Sequence, residues 1–448
     1  MYKLGASDKK LVTRWSKRTR ILSSFVAGAG LLALTVSMIH PSNSYATVPG
    51  VNAMVSPEGA NASVSGDGRY VAFTSASSSL VSGDTNSSTD VFVRDTQNNT
   101  TTRVSVATSG TEGDSVSFHP SISYDGRFVV FGSYSSNLVS GDTNGVPDVF
   151  ERDLVNNTTT LVSSSSSGTI GNNTSQHPVV SADGRFVAFT SGASNLVSNT
   201  WQYAIEAFVK DMTTGTTKAV SVDSSGNLGN GNAFNVSMSC DGGVIAFDSK
   251  ATNFISGDPY AGNSSHVNNH TDLYVSVQGV GGAQISSPSL AGGGNNDSTQ
   301  PRVSCDGNKI ALEGPGNLAS SSYYGVLEYD RLGGGFTKVS LPDNDADGDY
   351  EDLGIGGISG DGRYVAFEST DTDFGGSLNR KNIYIRDLRN QTTQRISSAS
   401  GGAEGNNWSY GSAISADGSY VSYESSASNL VSGDTNGLPD LFISETGF

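Results

Sequence analysis

Beyond about residue 50, apolar and polar positions along this chain do not follow the 3.6-residue period of an amphipathic helix. They form short runs, alternating or continuously apolar, separated by clusters of Gly, Asp, Asn and Ser. Such runs predict β-strands, and their order is regular. In one stretch a short segment, Pro120 to Ser123, leads into a turn at Asp125-Gly126, and Arg127 to Phe131 follows as a second strand. The loop SYSSNLVSGDTNGVP then precedes a third strand, Asp148 to Arg152. The turn LVNN and the β-branched run Thr158 to Val162 supply a fourth.

The same text returns along the chain. Asp-Gly recurs at Asp67, Asp125, Asp183, Asp241, Asp306, Asp361 and Asp417, at intervals of 58, 58, 58, 65, 55 and 56 residues. Around these anchors the copies read SGDGRYVAF, SYDGRFVVF, SADGRFVAF, SCDGGVIAF, SCDGNKIAL, SGDGRYVAF and SADGSYVSY. Four short strands repeated at a fixed period predict a β-propeller, one blade per copy. The last copy ends at its third strand, Leu441 to Ser444, whereas Met54-Val55-Ser56 near the other end matches Arg103-Val104-Ser105 of the first copy. The expectation is therefore an all-β, seven-bladed propeller over residues 47–448. Its N-terminal strand joins the last blade and removes both open edges. Six blades is the alternative if the irregular fifth copy is not one.

These repeats resemble the TolB-type, WD40-like propeller repeat, in which a Pro-x-x-Ser-x-Asp-Gly-Arg hairpin precedes an apolar strand. The resemblance runs from about Val51 to Phe448. It implies a propeller fold but no single activity, since the family includes translocation-linked, protease-associated and uncharacterised secreted members.

Composition agrees: 55 of 448 residues are Gly and only 15% are charged, which excludes a long coiled coil, a polytopic membrane protein and a highly charged disordered chain. Residues 1–46 combine Lys3, Lys9, Lys10, Arg14, Lys17, Arg18 and Arg20 with an apolar run, Ile21 to Ile39, and the small-residue ending Ser44-Tyr45-Ala46. This predicts a secretory signal peptide, with an uncleaved anchor as the rival, and an exported protein: periplasmic, secreted or at the cell surface. Seven of the 26 basic residues and one of the 43 acidic ones lie in that segment, so the rest of the chain carries −23. Such a field repels nucleic acid and attracts divalent cations.

In a four-stranded meander the Asp-Gly and LVNN-like turns share one face. The long SGDTN loops and the connections between blades share the other, where binding is expected. Three loops there repeat one pattern: Asp84-Asn86-Asp90, Asp142-Asn144-Asp148 and Asp434-Asn436-Asp440. They are either calcium loops, the oxygens converging with backbone carbonyls, or Asx-turns that hold the hairpin. A further acidic loop, with Asp343, Asp345 and Asp347, opens like an EF-hand, but Gly354 stands where that motif needs Glu. It is a second calcium candidate, or a solvated acidic loop.

Six residues before each Asp-Gly stand Asn61, His119, His177, Asn235, Gln300, Ile355 and Gly411, expected to ring the channel mouth. His119, His177 and Gln300 could ligate a transition metal, or the ring could simply line a wet channel. Cys240 and Cys305 directly precede Asp-Gly in adjacent copies. They pair as a disulfide if the innermost strands come close enough, and otherwise stay as buried thiols. Arg69, Arg127, Arg185 and Arg363, with Asp95, Asp153, Asp211 and Asp387, recur too often for one unique site and read as turn-holding. His266 and His270 read as loop residues. There is no G-x-S-x-G elbow.

The functional expectation is a non-enzymatic scaffold that binds protein or glycan through its long-loop face, where Trp201, Tyr203, Tyr323, Tyr324, Trp408 and Tyr410 fall, with calcium ordering the loops. The alternative is a metal-dependent propeller enzyme of the polysaccharide lyase type, working at the channel mouth.

Overall fold

The computed structural model describes residues 52–198, 204–254, 271–278, 284–286, 297–319, 324–341, 353–377 and 380–448. The N-terminal segment, with its signal-peptide and anchor readings, lies outside them. Seven four-stranded antiparallel sheets form one β-propeller. Blade one is β2 (Gly59–Val64), β3 (Tyr70–Ser75), β4 (Asp90–Asp95) and β5 (Thr100–Arg103). Blade two is β6 (Ser117–Ile122), β7 (Phe128–Ser133), β8 (Asp148–Asp153) and β9 (Thr158–Leu161). Blades three to six follow in chain order, from β10 (Ser175–Val180) to β25 (Thr392–Arg395). The irregular fifth copy is a complete blade, so the count is seven.

Blade seven takes three strands from the C-terminal end, β26 (Ser409–Ile414), β27 (Tyr420–Ser425) and β28 (Asp440–Glu445). The N-terminal β1 (Asn52–Pro57) supplies its fourth. β1 pairs with β28 from Asn52↔Ser444 to Pro57↔Asp440. Without that pairing β28 would present an open row of backbone N–H and C=O groups.

The core lies between blades. Val91 and Val93 of blade one pack against Val129, Phe131 and Phe150 of blade two, and the pattern recurs around the ring. In six blades an aromatic residue of the second strand stacks on one of the third, as Phe131 does on Phe150 with centroids 5.9 Å apart. Blade five puts Leu312 opposite Leu327 instead, which accounts for its divergent text. Each fully buried Phe contributes on the order of 1.5–3 kcal/mol relative to an exposed one.

At the Asp-Gly face the innermost strands converge. The residue before each Asp-Gly donates its backbone N–H to the equivalent carbonyl of the next blade, from Gly66 to Tyr124, Ala182, Cys240, Cys305, Gly360 and Ala416. Asp417 N–H closes the circle onto Gly66. These bonds measure 2.7–3.2 Å. Cys240 and Cys305 sit inside this ring with Cα atoms 4.4 Å apart and are disulfide-bonded. The concern that innermost strands stand too far apart fails here, because at this end they are close enough to share hydrogen bonds.

Candidate functional site

The first element of the site is a repeated β-bulge. Every innermost strand shifts register against its neighbour near the position six residues before Asp-Gly, for example between Phe118 and Ser121 and between Gln176 and Val179. At Asn61, His119, His177 and Gln300 the bulge residue takes a left-handed backbone, with φ of 51°, 48°, 51° and 53°. Non-Gly residues hold that conformation at a cost of about 1–3 kcal/mol, and such positions cluster at ligand sites. The bulge turns all seven of these positions, Asn61, His119, His177, Asn235, Gln300, Ile355 and Gly411, onto one cavity of about 520 Å³ at the long-loop end of the channel.

The ring is asymmetric. Seven residues after each anchor Asp stand Thr74, Gly132, Thr190, Asp248, Glu313, Glu368 and Glu424. On blades four to seven the carboxylate accepts the bulge N–H of the following blade: Gln300 N–H to Asp248 (3.2 Å), Ile355 to Glu313 (3.1 Å), Gly411 to Glu368 (2.7 Å) and Asn61 to Glu424 (2.7 Å). Burial pushes the carboxyls of Asp248, Glu313 and Glu424 up from their ordinary values. Lys381 lies 3.5 Å from Glu368, and Arg302 of blade five faces the same cavity.

Blades one and two carry Thr74 and Gly132 at that position, so no carboxylate from this set reaches the bulges of His119 and His177. There the two imidazoles stack on each other, with centroids 4.6 Å apart. Burial lowers the affinity of both for a proton, and His177, also beside His119, is pushed down to about 4. Both are neutral at pH 7. His177 hydrogen-bonds the backbone of Phe234, and the Nδ1 atoms of both histidines are buried without a hydrogen-bond partner.

Aromatic rings lead from the rim to this pair. Phe118 meets His119 edge-on at 5.2 Å and Tyr134 at 5.8 Å, and Tyr134 is 54% exposed. Of the aromatics named from sequence, Trp408 is 44% exposed, while Tyr410 and Tyr324 are half-buried. Trp201, Tyr203 and Tyr323 lie outside the described residues, as do Asp343, Asp345, Asp347, His266 and His270. Sequence reading missed Phe118, Tyr134 and the four channel acids. Lining the copies up seven residues after Asp-Gly would have shown the acids. Pro120, Pro178 and Pro301, each following a left-handed residue inside a strand, were the available sign of a bulge.

The acidic loops have the hydrogen bonds of Asx-turns. In each, the Asn accepts a backbone N–H two residues on: Ser88 to Asn86 (2.8 Å), Val146 to Asn144 (3.0 Å) and Leu438 to Asn436 (2.9 Å). Each Asn also donates to the last Asp of its loop, Asp90, Asp148 or Asp440. The Asn residues therefore shape Asx-turns. Among the described residues, the one group of three or more acids and histidines with converging ligand atoms is Asp84, Asp90 and Glu112 in blade one. Arg103 stands against all three, at 3.4, 3.5 and 2.6 Å.

On the opposite face, Arg69, Arg127, Arg185 and Arg363 pair in two-pronged fashion with Asp95, Asp153, Asp211 and Asp387. Each guanidinium also lies over the aromatic ring that follows it. The Arg127 hydrogen bond holds the Asp153 carboxyl down to about 2. These are the turn-holding pairs.

No protein-family model matches the chain, and no curated protein matches it in sequence. Solved structures do. Oligogalacturonate lyase from Vibrio parahaemolyticus superposes with TM-score 0.53 at 13% identity, over 88% of this chain and 93% of that one. An oligogalacturonate lyase in complex with manganese gives 0.52 at 12%, over 89% and 94%. The β-propeller domain of the Trilobed protease from Pyrococcus furiosus gives 0.51 at 14%, over 88% and 95%. At these identities the shared property is the fold.

TolB from Acinetobacter baumannii is itself among the similar structures, with TM-score 0.39 and 17% identity over 68% of this chain; the chain spans 59% of that protein's length. Each repeat of this chain builds one four-stranded blade of a seven-bladed ring.

Proposed function

We propose that this protein is an exported, non-enzymatic scaffold that binds a protein or glycan partner on its long-loop face, with calcium ordering the loops around the site. One observation carries the reading. Tyr134, Phe118, His119 and His177 form a continuous aromatic path from an exposed rim to two stacked imidazoles that line a cavity on that face. Ring faces suit sugar rings and interface anchors, and a neutral imidazole nitrogen accepts a hydrogen bond from a hydroxyl or amide. The acidic field disfavours nucleic acid as the partner. Binding to glycan and peptide arrays tests this. Tyr134→Ala and His119→Ala should each weaken the captured partner at least tenfold with an unchanged melting temperature; equal binding by wild type and both variants would remove the channel mouth as the site.

A second reading, a metal-dependent enzyme of the polysaccharide lyase type, is favoured by the same pair, since two buried imidazoles with free Nδ1 atoms could hold a transition metal. A similar propeller is a lyase in complex with manganese. In this chain the side chain of Gln300 donates to Glu313 at 3.0 Å, and the converging three-ligand group among the described residues lies elsewhere, in blade one. Release of unsaturated oligosaccharide on adding manganese, abolished in His177→Ala, would establish the enzyme and displace the scaffold.

A further inference from the structure

The outermost strands of blades two, three, six and seven are each latched by the connection that arrives from the preceding blade. In blade two, Thr159 of β9 donates its hydroxyl to the Val106 carbonyl at 2.5 Å. Its N–H donates to the Thr108 hydroxyl at 2.9 Å, and that hydroxyl donates back to the Thr159 carbonyl at 3.4 Å. Val106 and Thr108 belong to the connection from blade one, residues 104–116. Blade three repeats the arrangement on β13 (Thr216–Ala219), where Thr217 meets the Ser164 carbonyl at 2.6 Å and the Ser166 hydroxyl at 3.0 Å. In blade six Thr393 donates to the Leu341 carbonyl at 2.6 Å, and in blade seven Asn52 donates to that of Ser398. A basic side chain of the third strand grips the same stretch in three of these blades: Arg152 on the Ala107 carbonyl, Lys210 on that of Ser164 and Arg386 on that of Leu341. Each latch covers a strand edge that would otherwise stand open.

Blade one has the same donors and no latch. Thr101 of β5 pairs with Arg94 as Thr159 pairs with Arg152 and Thr217 with Lys210, so its N–H and carbonyl face away from the sheet in the same way. The connection that arrives here is the single residue Glu58, between β1 and β2. One residue spans about 3.5 Å, whereas β5 lies three strand spacings, about 14 Å, from β2. Among the described residues the Thr101 hydroxyl accepts from Arg94 at 3.0 Å, and its N–H and carbonyl have no partner beyond β4. Arg94 turns back to the Asn99 carbonyl of its own hairpin. Thr159 and Thr217 are buried, and Thr101 is half-buried.

We propose that the outer edge of β5 docks an extended segment of another protein, one with a Ser or Thr two residues after the carbonyl that Thr101 binds. The filled edges of blades two and three define this chemistry: a carbonyl for the threonine hydroxyl, then a hydroxyl that serves the threonine N–H and carbonyl together. Main-chain bonds give such strand addition its affinity, and a side chain at fixed spacing gives it selectivity. Arg94 supplies a further donor to the segment, as Arg152 does to Ala107. A second copy of this chain is a poorer occupant, because each copy carries −23 beyond residue 46 and the two repel. The edge lies on the outermost strand and not on the innermost ones, so the inference is independent of what the channel binds.

The probe is the peptide VSVATSGTE, which repeats residues 104–112, the latch of blade two. Added at millimolar concentration, it should bind by fluorescence anisotropy and slow amide exchange at Thr101 at least tenfold. The same peptide with Val for its first Thr should bind at least fivefold more weakly. Thr101→Pro removes the outward N–H, which an edge strand tolerates, and should abolish binding with an unchanged melting temperature. Thr101→Val, which keeps the backbone, should weaken binding at least fivefold. No protection of Thr101 by the peptide, or protection undiminished in both variants, would overturn the proposal. So would a Thr101 amide protected before any peptide is added: protection lost on dilution would mean a second copy at the edge, and protection at every dilution would mean that the chain fills the edge itself.

Discussion

Single side chains here are set by whether their charge finds a partner. Glu206 of blade three stands where blades one and two have Asp90 and Asp148. It is 2% exposed, its Oε2 accepts Ser221 at 2.5 Å, and its Oε1 has no donor. Burial pushes its carboxyl up to about 8, so it is protonated at pH 7. A folded value raised above the unfolded one gives stability that is full below the unfolded value, ~4.3, and is lost as pH rises through 8. Urea midpoints should therefore fall between pH 5 and 9, with a limiting slope of about 1.4 kcal/mol per pH unit, and Glu206→Gln should flatten the fall. Coincident curves would show Glu206 ionised in the fold. Asp153 and Asp211, both held down to about 2 by their Arg partners, act in the opposite sense. Their contribution is present above ~3.9 and is lost as pH falls toward 2.

Strands and turns carry a second kind of constraint, the left-handed residue. Gly126 in an Asp-Gly turn has φ of 75°, and a Cβ there would lie 2.2 Å from the Tyr70 ring of the preceding blade. Gly110 has φ of 85° with nothing within 4 Å. Gly110→Ala should cost about 1 kcal/mol from backbone strain alone, and Gly126→Ala distinctly more, because the ring must also move. Equal losses in thermal melts would show that Tyr70 yields freely. The Asp-Gly turns were legible because Gly after Asp at a fixed spacing has few other uses. The bulges were not, because a residue in the left-handed region leaves no mark on a run such as Ser117–Ile122 except the Pro that follows it.

The whole molecule is a ring, and its stability depends on how the ring is held. Cys240–Cys305 closes a loop with a sequence separation of 65, worth about 4 kcal/mol in the chain-entropy description. Cys305→Ser should lower stability by up to that amount. A melting temperature unchanged in the variant and under reductant would mean that the seven backbone hydrogen bonds at this end suffice alone. Disulfide and β1 pairing act at different places, the first at the narrow end between blades four and five, the second at the seam of blade seven.

From sequence alone, the repeat length, the four-strand unit, the number of blades and the closing strand could be derived. Each rests on local signals, turn residues and β-branched runs, that act within one copy. The two imidazoles could be placed at the channel mouth for the same reason, since equivalent positions of a repeat share a radius from the axis. Tertiary structure decided what those positions meet. That His119 stacks on His177, that Arg103 reaches three carboxylates in blade one while Met54 stands at the same register in blade seven, and that two cysteines 65 residues apart touch all depend on contacts across sheets and between blades. The physical reason is convergence: around a propeller axis, residues roughly one repeat apart come within bonding distance, and which charge meets which is fixed only where the blades close on one another.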